Sequence, residues 1–96
     1  IINNAKAEDV AIYLSALEFV AYEMYFSKRV EIVSLEELQG VIGQFNSNRK
    51  CNIQVKPFLD TCKRAGIISE SESDFSYYFS TKNTYAYLWQ KELMLH

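Results

Sequence analysis

The sequence predicts a mainly helical α+β domain with a small three-stranded sheet, and three stretches predict it. Cys62-Lys63-Arg64-Ala65-Gly66 reads as a helix end, because Gly adopts the left-handed C′ conformation without a Cβ clash and cations suit the last turn. Beyond it, Ile67-Ile68 opens a strand, and Phe75, Tyr77 and Phe79 alternate with Ser76, Tyr78 and Ser80, the period of a half-buried antiparallel strand. Upstream, Ser34 and Glu37 form a capping-box pair with Val33 and Leu38 at the hydrophobic-staple positions, which starts a helix directly after the β-prone run Val30–Val33. Strand, helix, polar turn, helix, strand, turn, strand is the order of a winged helix-turn-helix.

A chain of 96 residues sets one domain. It divides into an N-terminal helix over residues 1–29, the strand, helix-turn-helix and wing over 30–81, and a C-terminal helix over 82–96. The chain opens at Ile1 without Met, so it is expected to be excised from a longer protein. Ile1 to Asn4 reads as a linker or a frayed end.

Lys6 to about Lys28 carries no Gly or Pro and reads as one long helix. Val10, Leu14, Leu17, Ala21 and Met24 make one apolar stripe; Ile12, Ala16, Phe19 and Phe26 make a second. A helix apolar over more than half its circumference is buried on more than one side. Either the C-terminal helix covers the second face, or a partner does.

After Ser34, the residues Leu35, Leu38, Val41, Ile42 and Phe45 repeat on one face. Gly40 and Gly43 inside this helix are expected to permit close helix approach, since no Lys-Ser/Thr follows to make a phosphate loop. Asn46 to Asn52 reads as a polar turn. The next helix places Val55, Phe58, Leu59 and Cys62 on one face, with Pro57 in its first turn, where a missing N–H costs least. Ser69 to Asp74 is a polar, acidic turn, longer than a two-residue hairpin loop. Thr81 to Thr84 supplies caps for a last helix, Tyr85 to Leu95. Tyr85, Leu88, Trp89 and Glu92 share one of its faces.

Composition narrows the function. The hydrophobic share of 49% exceeds that of disordered chains, and the aromatic share of 15% is high for so small a domain. The excess points to apolar surface meant for a neighbour. A net charge of −2 argues against a dedicated nucleic-acid binder. Cys51 and Cys62 are too few for a disulfide framework and match no metal-ligand spacing. Ser15 and Glu18 interrupt the apolar run Val10–Val20, so no membrane span is expected, and a reducing, cytoplasmic setting fits.

Catalytic chemistry finds no support. The single histidine, His96, is terminal, which leaves no triad, zinc cluster or imidazole base. Glu36 and Glu37 belong to a helix N-terminus, and Glu70, Glu72 and Asp74 to a turn. No catalytic residue, metal or cofactor is assigned. The basic residues carry the DNA alternative. Arg49 and Lys50 precede the second helix of the helix-turn-helix, Lys56 opens it, Lys63 and Arg64 close it, and Gln54 and Thr61 project from it. In that role cations hold phosphates and Gln54 reads a base. Against it, Asp60 interrupts the face and the wing tip is acidic.

Ala65-Gly66-Ile67-Ile68, Asp74-Phe75-Ser76-Tyr77-Tyr78-Phe79-Ser80 and Tyr85-Ala86-Tyr87-Leu88-Trp89-Gln90-Lys91-Glu92-Leu93 together resemble the winged-helix segment of STAND-type P-loop NTPases. The resemblance implies a regulatory subdomain that packs against a nucleotide-binding core and swings when the NTPase changes state. Lys82 approximates the His or Lys that precedes the aromatic helix in that family. The chain has no Walker motif, so any ATPase would belong to the rest of the parent protein.

The expectation is a non-catalytic protein-interaction module whose docking residues are Phe19, Phe26, Tyr85, Leu88 and Trp89. Its partner is the rest of the parent chain or another protein. The alternative is a DNA-binding winged helix using Arg49, Lys50, Gln54, Lys56, Thr61, Lys63 and Arg64.

Overall fold

The computed structural model describes residues 7–71 and 75–96, with side chains from residue 10 onward. The linker or frayed end expected at Ile1–Asn4 and most of the acidic wing tip, Glu72, Ser73 and Asp74, lie outside the described residues. The described residues form four α-helices and a small three-stranded antiparallel sheet.

Helix α1 (Ala7–Tyr22) continues into a π-helical turn, Glu23–Lys28. The Met24 carbonyl accepts from the N–H groups of Arg29 and Val30, and Arg29, at φ 55°, ends the turn. The expected long helix is thus continuous, but its last six residues are wound wider. Of its apolar positions, Ala16, Leu17, Phe19, Val20, Ala21 and Met24 are core. Val10 and Leu14 remain 55% and 46% exposed, so the first stripe is covered only along its C-terminal half.

The expected strand Val30–Val33 shrinks to β1 (Val33–Ser34). Backbone bonding explains this. The Val30 N–H is held by Met24 at 2.9 Å, and the Val30 carbonyl accepts from the Tyr85 hydroxyl at 3.4 Å. Both groups are turned toward helices rather than toward the sheet. The capping box is as expected: Ser34 Oγ accepts from Glu37 N at 3.1 Å, and Glu37 Oε1 accepts from Ser34 N at 3.0 Å.

Helix α2 (Leu35–Arg49) runs through the first half of the expected polar turn. Asn46 is what makes this workable. Its carbonyl accepts from Lys50 and Cys51, while its side chain donates to Ile53 O at 3.1 Å and accepts from Ile53 N at 2.9 Å. One residue therefore ends the helix and braces the turn behind it. Gly40 and Gly43 do not mediate close helix approach: both are exposed, and a methyl group at either would meet no atom within 4 Å. Leu35, in the first turn, is 37% exposed and stands apart from the buried Leu38, Val41, Ile42 and Phe45.

Helix α3 (Val55–Arg64) has Pro57 as its third residue and buries Phe58, Leu59 and Cys62. It ends in a Schellman motif: Ile67 N donates to Cys62 O, Gly66 N donates to Lys63 O, and Gly66 sits at φ 75°. Strand β2 (Ile68–Glu70) pairs with β3 (Ser76–Phe79), which also pairs with β1, giving the order β1-β3-β2. Val33 faces Tyr77, and Ile68 faces Phe79. Tyr77 and Phe79 point inward. Phe75, expected to share their face, is 73% exposed at φ 51°, because it belongs to the loop rather than to the strand.

Helix α4 (Lys82–Leu93) is capped by Thr81, whose Oγ1 accepts from Thr84 N at 3.2 Å. It packs along α1 and covers the second apolar face of that helix. The core centres on Val20, Met24, Leu38, Ile42, Phe45 and Phe58, each no more than 1% exposed. Tyr13 meets Phe58 edge to face at 5.4 Å, which ties α1 to α3. Among the described residues, no helix is long and apolar enough to cross a membrane.

Candidate functional site

The π turn determines what the C-terminal end of α1 presents. In a regular α-helix adjacent side chains diverge by about 100°. Here Tyr25 and Phe26, adjacent in sequence, both reach Trp89 of α4. The Tyr25 and Trp89 rings stack at 4.1 Å and 9°, and Phe26 meets Trp89 edge-on at 5.3 Å. Tyr85, one turn before Trp89, stacks on Phe79 at 5.2 Å. Burial, with smaller contributions from Glu31 and Tyr25, pushes the Tyr85 phenol up to about 12. It is therefore a neutral donor to Val30 across the physiological range.

These rings wall an open groove of about 670 Å³ between the π turn and α4. Val30 and Ala86 also line it, together with Arg29, Glu31 and Lys82. Arg29 and Lys82 make no ion pair among the described residues. Tyr25 and Phe26 are 45% and 38% exposed. Of the five docking residues expected, Phe26, Tyr85 and Trp89 converge here. Phe19 and Leu88 belong to the core at 5% and 3% exposure, where Phe19 packs on Phe45 at 5.7 Å. Tyr25 was not singled out in the sequence, because straight α-helical spacing separates it from Phe26.

The basic set is divided by the fold. Arg49 Nη2 lies 2.7 Å from Glu92 Oε2, and its guanidinium sits 5.4 Å from the Phe45 ring centroid. Lys63 pairs with Glu70 at 2.9 Å, joining α3 to β2, and this pairing holds its ammonium pKa up. Arg64 Nε donates to Asp60 O at 3.4 Å. Lys50, Gln54 and Thr61 line a second groove, of about 680 Å³, beside Val10, Leu14 and Pro57. Lys56 follows the other flank of α3, in register with Asp60 and Arg64 at helical spacing. The seven residues therefore do not form one continuous basic face.

Glu92 is the residue sequence reasoning left without a role. It is fully buried. Oε2 meets both Arg49 and the His96 imidazole, the latter at 3.2 Å, while Oε1 has no hydrogen-bond partner. The His96 ring also stacks on Tyr22 at 4.4 Å. Partial burial, then repulsion from Glu92, raises the pKa of nearby Glu18 against the opposing pull of Lys91 and Arg49. The sequence places Glu92 on the face shared with Tyr85, Leu88 and Trp89 but assigns it no partner; the meeting of the α2 and α4 C-terminal ends supplies Arg49.

Chemically, the grooves offer apolar surface and hydrogen bonds. Burial pushes the Cys62 thiol up to about 12, so it is no thiolate nucleophile at neutral pH. No group of three His, Cys, Asp or Glu side chains among the described residues is placed to hold a metal ion. Compared with known proteins, the chain matches no protein-family model, no curated protein and no solved structure.

Proposed function

We propose that this chain is a non-catalytic winged-helix module that binds protein, either a partner or the remainder of its parent chain. One observation carries the reading. The rings of Tyr25, Phe26, Tyr85 and Trp89 are fixed by mutual stacking yet still border an open groove. Large, rigid, half-exposed aromatics bury much area on docking at small entropic cost. The winged-helix assignment draws support from the order β1, α2, α3, β2, β3 and from β1 pairing with β3. A regulatory subdomain of a STAND-type NTPase remains the specific form of this proposal, since such a subdomain docks on a neighbouring core.

The experiment is site-specific photo-crosslinking. A benzoyl-phenylalanine at position 26 should capture a discrete partner, while the same group at the exposed Gln39 of α2 should not. Equal labelling from both positions, or none from position 26, removes the reading.

DNA binding is the second reading. The exposed Gln54 at the start of α3 and the exposed Lys56 and Thr61 on it favour it; the ion pairs that occupy Arg49 and Lys63 oppose it. Fluorescence anisotropy with duplex DNA at low salt decides it. Binding that weakens steeply with salt, and weakens in Lys56→Ala, would replace the protein-docking reading.

A further inference from the structure

We infer that the groove between the π turn and α4 takes an acidic peptide segment with an apolar anchor. This rests on the docking reading above and names its partner class. The charge at the groove comes first. Arg29 and Lys82 face a single carboxylate, Glu31, giving a local excess of one positive charge in a chain whose net charge is −2. Neither cation is neutralised by an ion pair among the described residues, unlike Arg49 and Lys63. Arg29 is held by the left-handed turn that ends the π helix. Lys82 stands in the first turn of α4, where the helix dipole also favours an anion.

The rings decide the rest. Trp89 already lies flat against Tyr25, and Tyr85 against Phe79. One face of each of these rings is therefore already taken, which reduces the stacking surface open to a nucleobase. Among the lining rings, the small side chain of Ala86 leaves apolar room, which suits an aliphatic or phenyl side chain. Carboxylates on either side of that anchor would meet Arg29 and Lys82. A basic segment would meet the same two cations with like charge.

The sole tryptophan of the chain, Trp89, lies in this groove, so its emission reports occupancy by a peptide lacking tryptophan. The probe is a synthetic peptide with Leu-Phe-Leu flanked by Glu residues, compared with a counterpart carrying Lys in place of Glu. The Glu peptide should shift Trp89 emission and the amide resonances of Arg29, Lys82 and Ala86, and should bind several-fold more tightly than the Lys peptide. The double variant Arg29→Ser/Lys82→Ser, with an unchanged unfolding midpoint, should weaken it by roughly three- to ten-fold, as expected for two exposed charge contacts. An unchanged affinity in that variant, absence of binding, resonance shifts confined to other elements, or tighter binding of oligothymidylate overturns the inference. Equal binding of both peptides also overturns it, but leaves protein docking in place if Phe26→Ala abolishes both. Failure of crosslinking at position 26 removes the docking reading itself.

Discussion

Arg49 of α2 closes over the carboxylate of Glu92 of α4, with Nη2 2.7 Å from Oε2, although 43 residues separate them. The carboxylate is fully buried and the Arg49 side chain is 33% exposed. Removing the arginine leaves the buried carboxylate with His96 as its remaining partner, and Oε1 already lacks one. Arg49→Met should therefore destabilise the domain by roughly 2–3 kcal/mol, below the range for wholly buried pairs because solvent reaches Arg49. The double variant Arg49→Met/Glu92→Leu should recover most of that loss, since an apolar pair restores packing without a desolvated charge. Urea unfolding of the three proteins measures both. The pair also bears on function: a loss of DNA binding in Arg49→Ala would report damage to the fold, which makes Lys56→Ala the cleaner probe.

Glu18 gives a pH-dependent consequence of the same cluster. Its pKa is raised by burial and then by Glu92. A carboxylate with a raised folded-state pKa favours the native state below its unfolded pKa, and that contribution is lost as pH rises through the folded value. At neutral pH Glu18 is therefore a burden. Glu18→Gln should raise the thermal midpoint at pH 7, and the gain should shrink as the pH falls through the raised folded-state value and vanish below the ordinary glutamate range. A gain that is independent of pH would show that charge is not its cause.

Glu37 runs with the opposite sign. The Ser34 backbone N–H that it accepts holds its carboxyl below the ordinary range. Its contribution is present above the unfolded pKa and disappears as pH falls through the folded value. Ser34→Ala should cost about 1 kcal/mol through loss of the cap, and should shift the Glu37 carboxyl titration, followed by NMR, only part of the way back toward an ordinary glutamate, because the backbone N–H at position 34 remains.

The local signals that were legible in the sequence are those with a short-range cause. Ser34 with Glu37 starts α2, Gly66 stops α3, and Thr81 caps α4, all as their residue types require. The alternation Tyr77, Tyr78, Phe79 survives as β3, because one face meets the core. What the sequence misplaced depends on distant partners. Val30 is a β-former drawn out of the sheet by Met24 and Tyr85. Asn46 reads as a turn residue and is helical, because its side chain serves Ile53 seven residues on. Phe19 and Leu88 resembled spare apolar surface only while the partners of α1 were unknown. The groove was half legible. Its aromatic residues stand out by type, but the π turn that brings Tyr25 beside Phe26 has no sequence signature.

The two thiols should differ in reactivity. Cys62 is 2% exposed and its pKa is pushed up to about 12 by burial. Cys51 is half-buried in the turn after α2, its Sγ 3.5 Å from Arg49 O. A disulfide reagent at neutral pH should modify Cys51 within the mixing experiment and Cys62 only at the rate of unfolding. Equal rates for both thiols in the native protein would place Cys62 outside the core.

The three glycines separate a conformational requirement from simple tolerance. A methyl group would meet nothing within 4 Å at any of them, so sterics with neighbours cannot distinguish them. Backbone geometry can. Gly66 sits at φ 75° in the Schellman turn that releases α3 into β2, and Gly66→Ala should lose about 1 kcal/mol to the left-handed penalty. Gly40 and Gly43 lie in exposed positions of α2 with ordinary helical geometry, so Gly→Ala at either should gain about 0.5–1 kcal/mol from helix propensity and a less flexible unfolded chain. Chemical denaturation of the three single variants tests the sign at each site. A loss at Gly40 or Gly43 would mean that a neighbouring side chain does not leave room for the added methyl group, against the open space around both glycines.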